Sequence, residues 1–397
     1  MRDKKKWIIV FLKNKLISLD SILPLALEIN QCCNYKFYFI VWQYESYKSI
    51  IEDNVVMRDM ALSIGQIVCP SQQNKGTISN KINKIITLAN VLVKLYLNKS
   101  YIFHFGALDQ YPLMILTKII NKKKIVQCES SLTGRYVKNI QDSVASRNNI
   151  IEIPMLQQRS TQENFDNYKR FSYPINNSGI LIGFDLAWNW FKHPDAISCK
   201  KLVFSEKGKE KKYFNFMLER SNYYLNQEGL TGLEKNKTIV IVLGHYGDGQ
   251  GEYRNKLLYE ALTVLKNLDL NIIIKPHIFC DMNLVESIVK NSKCVNSKIY
   301  YTKIHPQILQ EVSFGGLFVN NSTIRCDYKD MGFPVIQYNG GMTDKVITDK
   351  CSVIICSDQN QLADSLKLLM KNPENNILKE GKEFIDGCKK VGKIFNC

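Results

Sequence analysis

A chain of 397 residues that is 45% hydrophobic, 23% charged and 11% aromatic is too long for one ordinary core, comfortable for two domains, and too apolar to be disordered. Its formal net charge of +16 favours polyanionic neighbours such as nucleic acid, anionic lipid headgroups or phosphorylated substrates. Twelve cysteines without a Cys-x-x-Cys give neither a zinc spacing nor a disulfide framework, and no run approaches the roughly 18–20 apolar residues of a membrane span, which predicts a cytoplasmic protein.

The start, MRDKKKWIIVFLKNK, has the basic head of a signal peptide, but its apolar run Trp7–Leu12 is too short for one. KWIIVFL reads instead as a buried strand. Helical spacing follows in SLDSILPLALEIN, then a strand in YKFYFIVW and a helix over 46–65 ending at Gly65. The short strand QIVC, the long helix ISNKINKIITLANVLVKLYLNK, the strand SYIFHFGAL, the helix YPLMILTKIINK and the strand KKIVQCESS continue the alternation. Continuous apolar strands separated by helices predict a parallel sheet covered on both faces. The stretch 130–234 is less regular; ILIGFDLAWNWF and KKLVFSEKG are strand-like, and a helix with a polar linker follows.

From about residue 235 the rhythm restarts. KTIVIVLG, NIIIKPH, KIYYTK, GGLFVNN, PVIQYNG and SVIIC are strands; the intervening segments and NQLADSLKLLMK are helical. The expected fold class is therefore α/β, with two Rossmann-like doubly wound domains facing across a cleft: 1–234 for the acceptor, 235–375 for the nucleotide, and a helical tail 376–397 returning to the first domain. In such sheets ligands sit beyond the carboxyl ends of the strands, so those ends are where chemistry is sought.

Four of the five histidines, His104, His245, His277 and His305, fall where a strand ends or a short helix begins. The loop GHYGDGQG, with Gly244, His245 and Gly247, follows a strand and precedes a helix; glycines let the backbone approach a ligand, and the helix start favours an anion. Its spacing is neither the dinucleotide fingerprint nor a P-loop. Pro276 ends the next ladder abruptly, so Lys275 and His277 stand where a phosphate or carboxylate would lie. In FVNNSTIRCDYKDMGFPVIQYNGG, Ser322 and Thr323 open a helix and suit a phosphate at its positive end, and Asp327, one turn on, suits a ribose hydroxyl.

This last stretch resembles the segment NST…E-A…G-K-P-V-I of bacterial GT-B glycosyltransferases that build capsule and lipopolysaccharide. Lys275-Pro276-His277 resembles the Lys-Pro-His-Pro of Kdo- and sialic-acid-type transferases and of teichoic-acid polyol-phosphate transferases. The match covers about 238–341, with Ile278 in place of proline and Asp327 in place of glutamate. The resemblance implies a nucleotide-sugar donor, a CMP-activated ulosonic acid first, bound by the second domain. It implies a glycan or lipid-linked glycan acceptor on the first domain, which supplies the base. Two strand ends offer that base, FHFGALDQ with His104 and Asp109 and VQCESSLTGR with Glu129. No Asp-x-Asp occurs, so no metal and no cofactor are expected. The alternatives are a CDP-polyol phosphotransferase, an epimerase or pyruvyl transferase of the same fold, and a non-enzymatic polyanion-binding protein. No RRM, KH or helix-turn-helix signature supports nucleic acid as partner. With basic runs at 4–6 and 122–124, the first domain is expected to touch the anionic inner membrane peripherally.

Overall fold

β1 (Lys6–Leu12) is buried at every residue from Trp7 onward. A strand apolar on both faces needs cover on both sides, and the following segments provide it. The computed structural model describes residues 6–12, 16–73, 76–97, 99–105, 111–128, 180–184, 200–204, 211–244, 251–277, 280–294, 297–319, 324, 325, 328, 332–341 and 354–371. After β1 come α1 (Leu16–Cys33), β2 (Lys36–Val41), α2 (Tyr44–Tyr47), a π turn (Lys48–Glu52), α3 (Val55–Ile64), β3 (Gly65–Val68), α4 (Thr77–Leu97), β4 (Lys99–Phe105), α5 (Leu113–Ile119), β5 (Ile125–Cys128), β6 (Ile180–Phe184) and β7 (Lys200–Phe204). These strands pair in parallel in the order β3-β2-β1-β4-β5-β6-β7. Trp7, Ile9 and Phe11 face α4 and α5 through Val91, Leu95, Leu113 and Leu116; the alternate residues Ile8 and Val10 point to the opposite face.

The helix expected over 46–65 is interrupted. Asn54 donates its side-chain amide to the Ser49 carbonyl at 2.7 Å, and the chain loosens into the π turn before α3 begins. Asparagine side chains compete with the backbone in this way, which periodicity alone does not register. Gly65 ends α3 and starts β3 at once. A Cβ there would stand 2.0 Å from the Phe37 carbonyl oxygen, a backbone atom. Gly65→Ala is therefore expected to cost roughly 2–3 kcal/mol by overpacking, read as a lowered melting temperature; an unchanged melting temperature would contradict the close approach.

The chain divides into two compact units, residues 1–213 with 381–397, and residues 214–380. The division falls inside α6 (Lys211–Leu218), earlier than the boundary near 235 read from the sequence. The intervening α7 (Ser221–Gln227) looks like polar linker, yet Tyr224, Leu225 and Leu230 are buried, and Glu228 accepts a hydrogen bond from the Thr302 hydroxyl. The expected tail 376–397 lies outside the described residues.

The second unit repeats the plan. β8 (Thr238–Val242), α8 (Gly251–Leu265), β9 (Asn271–Lys275), α9 (Met282–Asn291), β10 (Ile299–Tyr301), a 3-10 turn (Pro306–Glu311), β11 (Gly315–Phe318), β12 (Val335–Tyr338), β13 (Ile354–Cys356) and α10 (Gln359–Lys371) follow in chain order. The strand order is β10-β9-β8-β11-β12-β13, parallel throughout. Ile239, Ile241, Ile272, Ile274 and Leu317 meet α8 and α10 in one core. Each sheet reverses its winding beside its first strand, at β1/β4 and at β8/β11. That is where a doubly wound sheet leaves a crevice beyond its carboxyl ends.

Candidate functional site

In the second unit the exits of β8 and β9 are tied together. Leu243 donates its amide to the Lys275 carbonyl at 2.9 Å. The Cys280 thiol donates to the Gly244 carbonyl at 3.8 Å, and the Cys280 amide donates to the His277 carbonyl at 2.9 Å. Gly244, Lys275 and His277, singled out at separate strand ends in the sequence, thus form one rim.

Lys275 is the electrostatic centre of that rim. Its residue is half-buried, and its ammonium donates to the Pro276 carbonyl at 3.3 Å. Burial, with Lys303 adding to it, lowers its pKa from 10.5 to about 8, while Glu228 and Cys280 act in the opposite direction. Glu228 is held by the Thr302 hydroxyl, and Thr302 is itself fixed by its amide donating to the Ile274 carbonyl at 3.2 Å. Arg254, only 8% exposed, stands in the first turn of α8, and its charge reaches the Cys280 thiol, whose pKa burial raises. A cation at the positive end of a helix opposes the helix dipole; an anionic ligand there relieves both charges. Arg254, Lys303 and Glu228 were not singled out in the sequence. The signal for Arg254 was present, an arginine one turn after a glycine loop, whereas Glu228 and Lys303 arrive from distant segments.

Past β11 the phosphate-binding candidates Ser322 and Thr323, with Asp327, lie outside the described residues, as do His245 and Gly247. Tyr328 stacks edge-on against Phe318 and Phe333 at 5.8 and 4.7 Å and donates its hydroxyl to the Pro306 carbonyl. A Cβ at Gly316 would meet the Tyr328 ring at 2.7 Å, so the missing side chain there lets that ring settle onto the sheet.

The first unit has a cavity of about 510 Å³ at its own winding reversal. Phe11 and Leu12 from β1, Trp42 after β2, Lys84 from α4, His104 from β4 and Tyr111 line it. Trp42 and Tyr111 meet edge to face at 5.5 Å, and the Lys84 ammonium lies 5.7 Å from the Trp42 ring centre. The structure thus brings His104 to this cavity, although it leaves the imidazole 0% exposed to water. Asp109 and Glu129 lie outside the described residues; by chain connection Asp109 belongs to the short link between β4 and Tyr111, and Glu129 directly follows β5. Among the described residues no three His, Cys, Asp or Glu side chains gather as a metal set, and no helix is long and apolar enough to cross a membrane.

No protein-family model and no curated protein matches the chain. Among solved structures the chain is similar to UDP-GlcNAc 2-epimerase from Methanocaldococcus jannaschii, at 14% identity and a TM-score of 0.57 over 99% of both chains. It is also similar to UDP-GlcNAc 2-epimerase from Neisseria meningitidis bound to UDP-GlcNAc, at 13% identity and a TM-score of 0.53 over 98% of both chains. An S. aureus MnaA–UDP structure matches at 11% identity and a TM-score of 0.51, over 99% of this chain and 97% of that one. At these identities the likeness is one of fold: two parallel-sheet α/β units of the GT-B class, as the alternation of strands and helices led one to expect.

Proposed function

We propose that the chain is a sugar-nucleotide enzyme that binds a UDP-sugar at the carboxyl end of its second sheet and transfers the sugar to an acceptor held by its first. The observation that carries the transfer is the first unit's own cavity. Epimerisation of a nucleotide sugar needs one substrate site; transfer needs a second. Aromatic walls from Trp42 and Tyr111 suit the C–H face of a pyranose, and Lys84 suits an anionic substituent on it. In the second unit Lys275, Arg254 and His277 supply charge-assisted bonds for a diphosphate.

The chemistry then balances simply. The acceptor hydroxyl oxygen bonds to the anomeric carbon as the bond from that carbon to the phosphate oxygen breaks. UDP leaves with the bonding electrons, its developing charge met by Lys275 and Arg254. The hydroxyl proton goes to a carboxylate on the first unit, for which Asp109 is the first choice because both flanks of its link, His104 and Tyr111, line the cavity. Glu129 is the alternative, and the buried His104 positions rather than abstracts. The CMP-ulosonic donor expected from the Lys-Pro-His resemblance gains no support from the similar structures, whose named ligands are UDP-GlcNAc and UDP; uridine is preferred here for that reason.

A second reading, C2 epimerisation of a UDP-sugar, is favoured by the fold likeness to two epimerases. Melting curves with UDP, CMP, CDP and GDP test the nucleotide. UDP is expected to stabilise by about 2.7 kcal/mol at a hundredfold excess over Kd, and stabilisation by CMP alone would overturn the uridine assignment. Proton NMR of UDP-GlcNAc incubated with the protein alone separates the two reactions. Inversion at C2 without any acceptor sinks the transferase reading; an unchanged sugar that is consumed only after a lipid-linked glycan extract is added supports it.

A further inference from the structure

The long helix α4 is apolar on two opposite sides. Its inner side places Val91 and Leu95 in the core. On the outer side Ile78, Ile82, Ile85, Val93 and Tyr96 recur at helical spacing, within a sector of about 80° at 100° per residue, and all face solvent: Ile78 is 76% exposed, Ile85 66% and Tyr96 66%. α5 extends the patch with exposed Ile115 and Ile119, and the two helices are joined where the Tyr96 hydroxyl donates to the Ile119 carbonyl at 3.2 Å. Half of the 18 exposed large apolar side chains among the described residues fall on these two helices. Scattered exposed apolar residues need no explanation; a contiguous field of them does.

The charge around this field identifies what covers it. Between Met60 and Cys128 the sequence has nine lysines and a single acid, Asp109. Lys81, Lys118 and Lys123 are exposed on the helices or directly after them. A second copy of the chain seated on this face by twofold symmetry would set these lysines against each other. An anionic surface with an apolar interior matches both features at once.

We propose that α4 and α5 form an interfacial docking face, with the Ile78–Tyr96 stripe inserted among the headgroups of an anionic bilayer and the flanking lysines on its phosphates. A helix lying in the interface in this manner buries its apolar side about 5–10 Å deep, and α4, at 21 residues, is about 31 Å long. Of the basic runs read in the sequence, 122–124 adjoins this face through the exposed Lys123. Lys6 donates to the Cys33 carbonyl at 3.4 Å and lies 5.5 Å from the Tyr35 ring centre, so it is engaged by its own unit; Lys4 and Lys5 lie outside the described residues. Lys84 on α4 and the exposed Tyr111 before α5 also line the cavity. Docking therefore brings the cavity's own elements to the lipid surface, which suits an acceptor carried on a lipid. That last clause rests on the transferase reading; the docking itself does not.

The test is co-sedimentation of the full chain with vesicles of 3:1 phosphatidylcholine to phosphatidylglycerol and of pure phosphatidylcholine, from 50 to 500 mM NaCl. Binding is expected on the anionic vesicles and to fall steeply with salt. Ile78→Ser with Ile82→Ser and Ile85→Ser is expected to keep the wild-type melting temperature and lose at least about tenfold in partitioning. Lys81→Glu with Lys118→Glu is expected to lose about tenfold at 100 mM salt and little at 500 mM; this pair carries the test should the serine variant melt early. Failure of the wild type to bind anionic vesicles at 50 mM salt overturns the proposal. So does undiminished binding by either variant, or a dimer in light scattering that the serine variant dissolves, since a second copy would then cover the face. None of these readouts depends on sugar transfer.

Discussion

Asp109→Asn is expected to lower the rate of sugar transfer by about 10²–10⁴-fold, the usual contribution of a positioned general base, while changing the affinity for UDP by less than about twofold. The amide keeps the shape of the carboxylate and cannot take a proton, so binding and chemistry separate. Asp109 sits in the link between His104 and Tyr111, two residues that line the first unit's cavity, whereas Lys275 and His277, the proposed nucleotide rim, belong to the other unit. Glu129→Gln is the control, because Glu129 follows the neighbouring strand β5. The measurement is UDP release from the donor in the presence of acceptor, beside calorimetry with UDP alone. Should Glu129→Gln show the loss instead, the base passes to β5. If both amide variants turn over like wild type, the base is not at these strand ends. His104→Gln distinguishes positioning from abstraction: with the imidazole fully buried, its main expected effect is on acceptor KM and melting temperature.

Lys275→Met is expected to raise the Kd for UDP by about 10–100-fold, the loss of a charge-assisted bond to phosphate, and to raise the melting temperature of the unliganded protein at pH 7. The second half follows from the direction of the pKa shift. The ammonium titrates near 8 in the fold against 10.5 outside it, so the folded protein holds this proton less tightly than the unfolded chain does. The charge therefore costs stability fully below pH 8, and the cost fades between pH 8 and 10.5. Methionine removes the cost at every pH, so wild type should close the gap on the variant as pH rises through that window. The same titration governs binding. UDP prefers the ammonium, so wild-type affinity should be about tenfold lower at pH 9 than at pH 7, and the profile of Lys275→Met should be flat above pH 7. Normal UDP affinity in the variant would sink the site; a lower melting temperature at pH 7 would make the lysine a structural one.

Much of the fold can be read from strings of letters because strand burial is a local pattern. KWIIVFL, TIVIV and NIIIK are apolar on both faces, and only a parallel sheet covered by helices buries them so. The lysine and histidine at the exit of β9 follow the same logic, since Pro276 fixes where that strand stops. The stripe on α4 was also present in the letters, but an amphipathic helix with one apolar side looks the same in sequence as one with two until the core chooses its side. The division of the units inside α6 is not legible for a related cause: Tyr224 and Leu225 lie in polar surroundings along the chain, yet they are buried, and their helix packs on the distant turn Pro306–Glu311.

The sequence by itself thus determined the strands and helices of the two α/β sheets and the strand ends at which a ligand is sought, because each depends on neighbours within a few residues. The tertiary structure alone decided the character of those ends. Lys275 is an ordinary lysine until Glu228, Thr302 and Lys303 close around β9, and Thr302 reaches Glu228 across 74 residues of chain. Arg254 comes within Coulombic reach of Cys280 only when α8 turns it toward the same rim. The cavity of the first unit exists only because Phe11, Trp42, Lys84 and Tyr111 converge from four separate segments. Desolvation and Coulomb interaction fall off within several ångströms in space and take no account of distance along the chain, so composition and spacing do not reveal them.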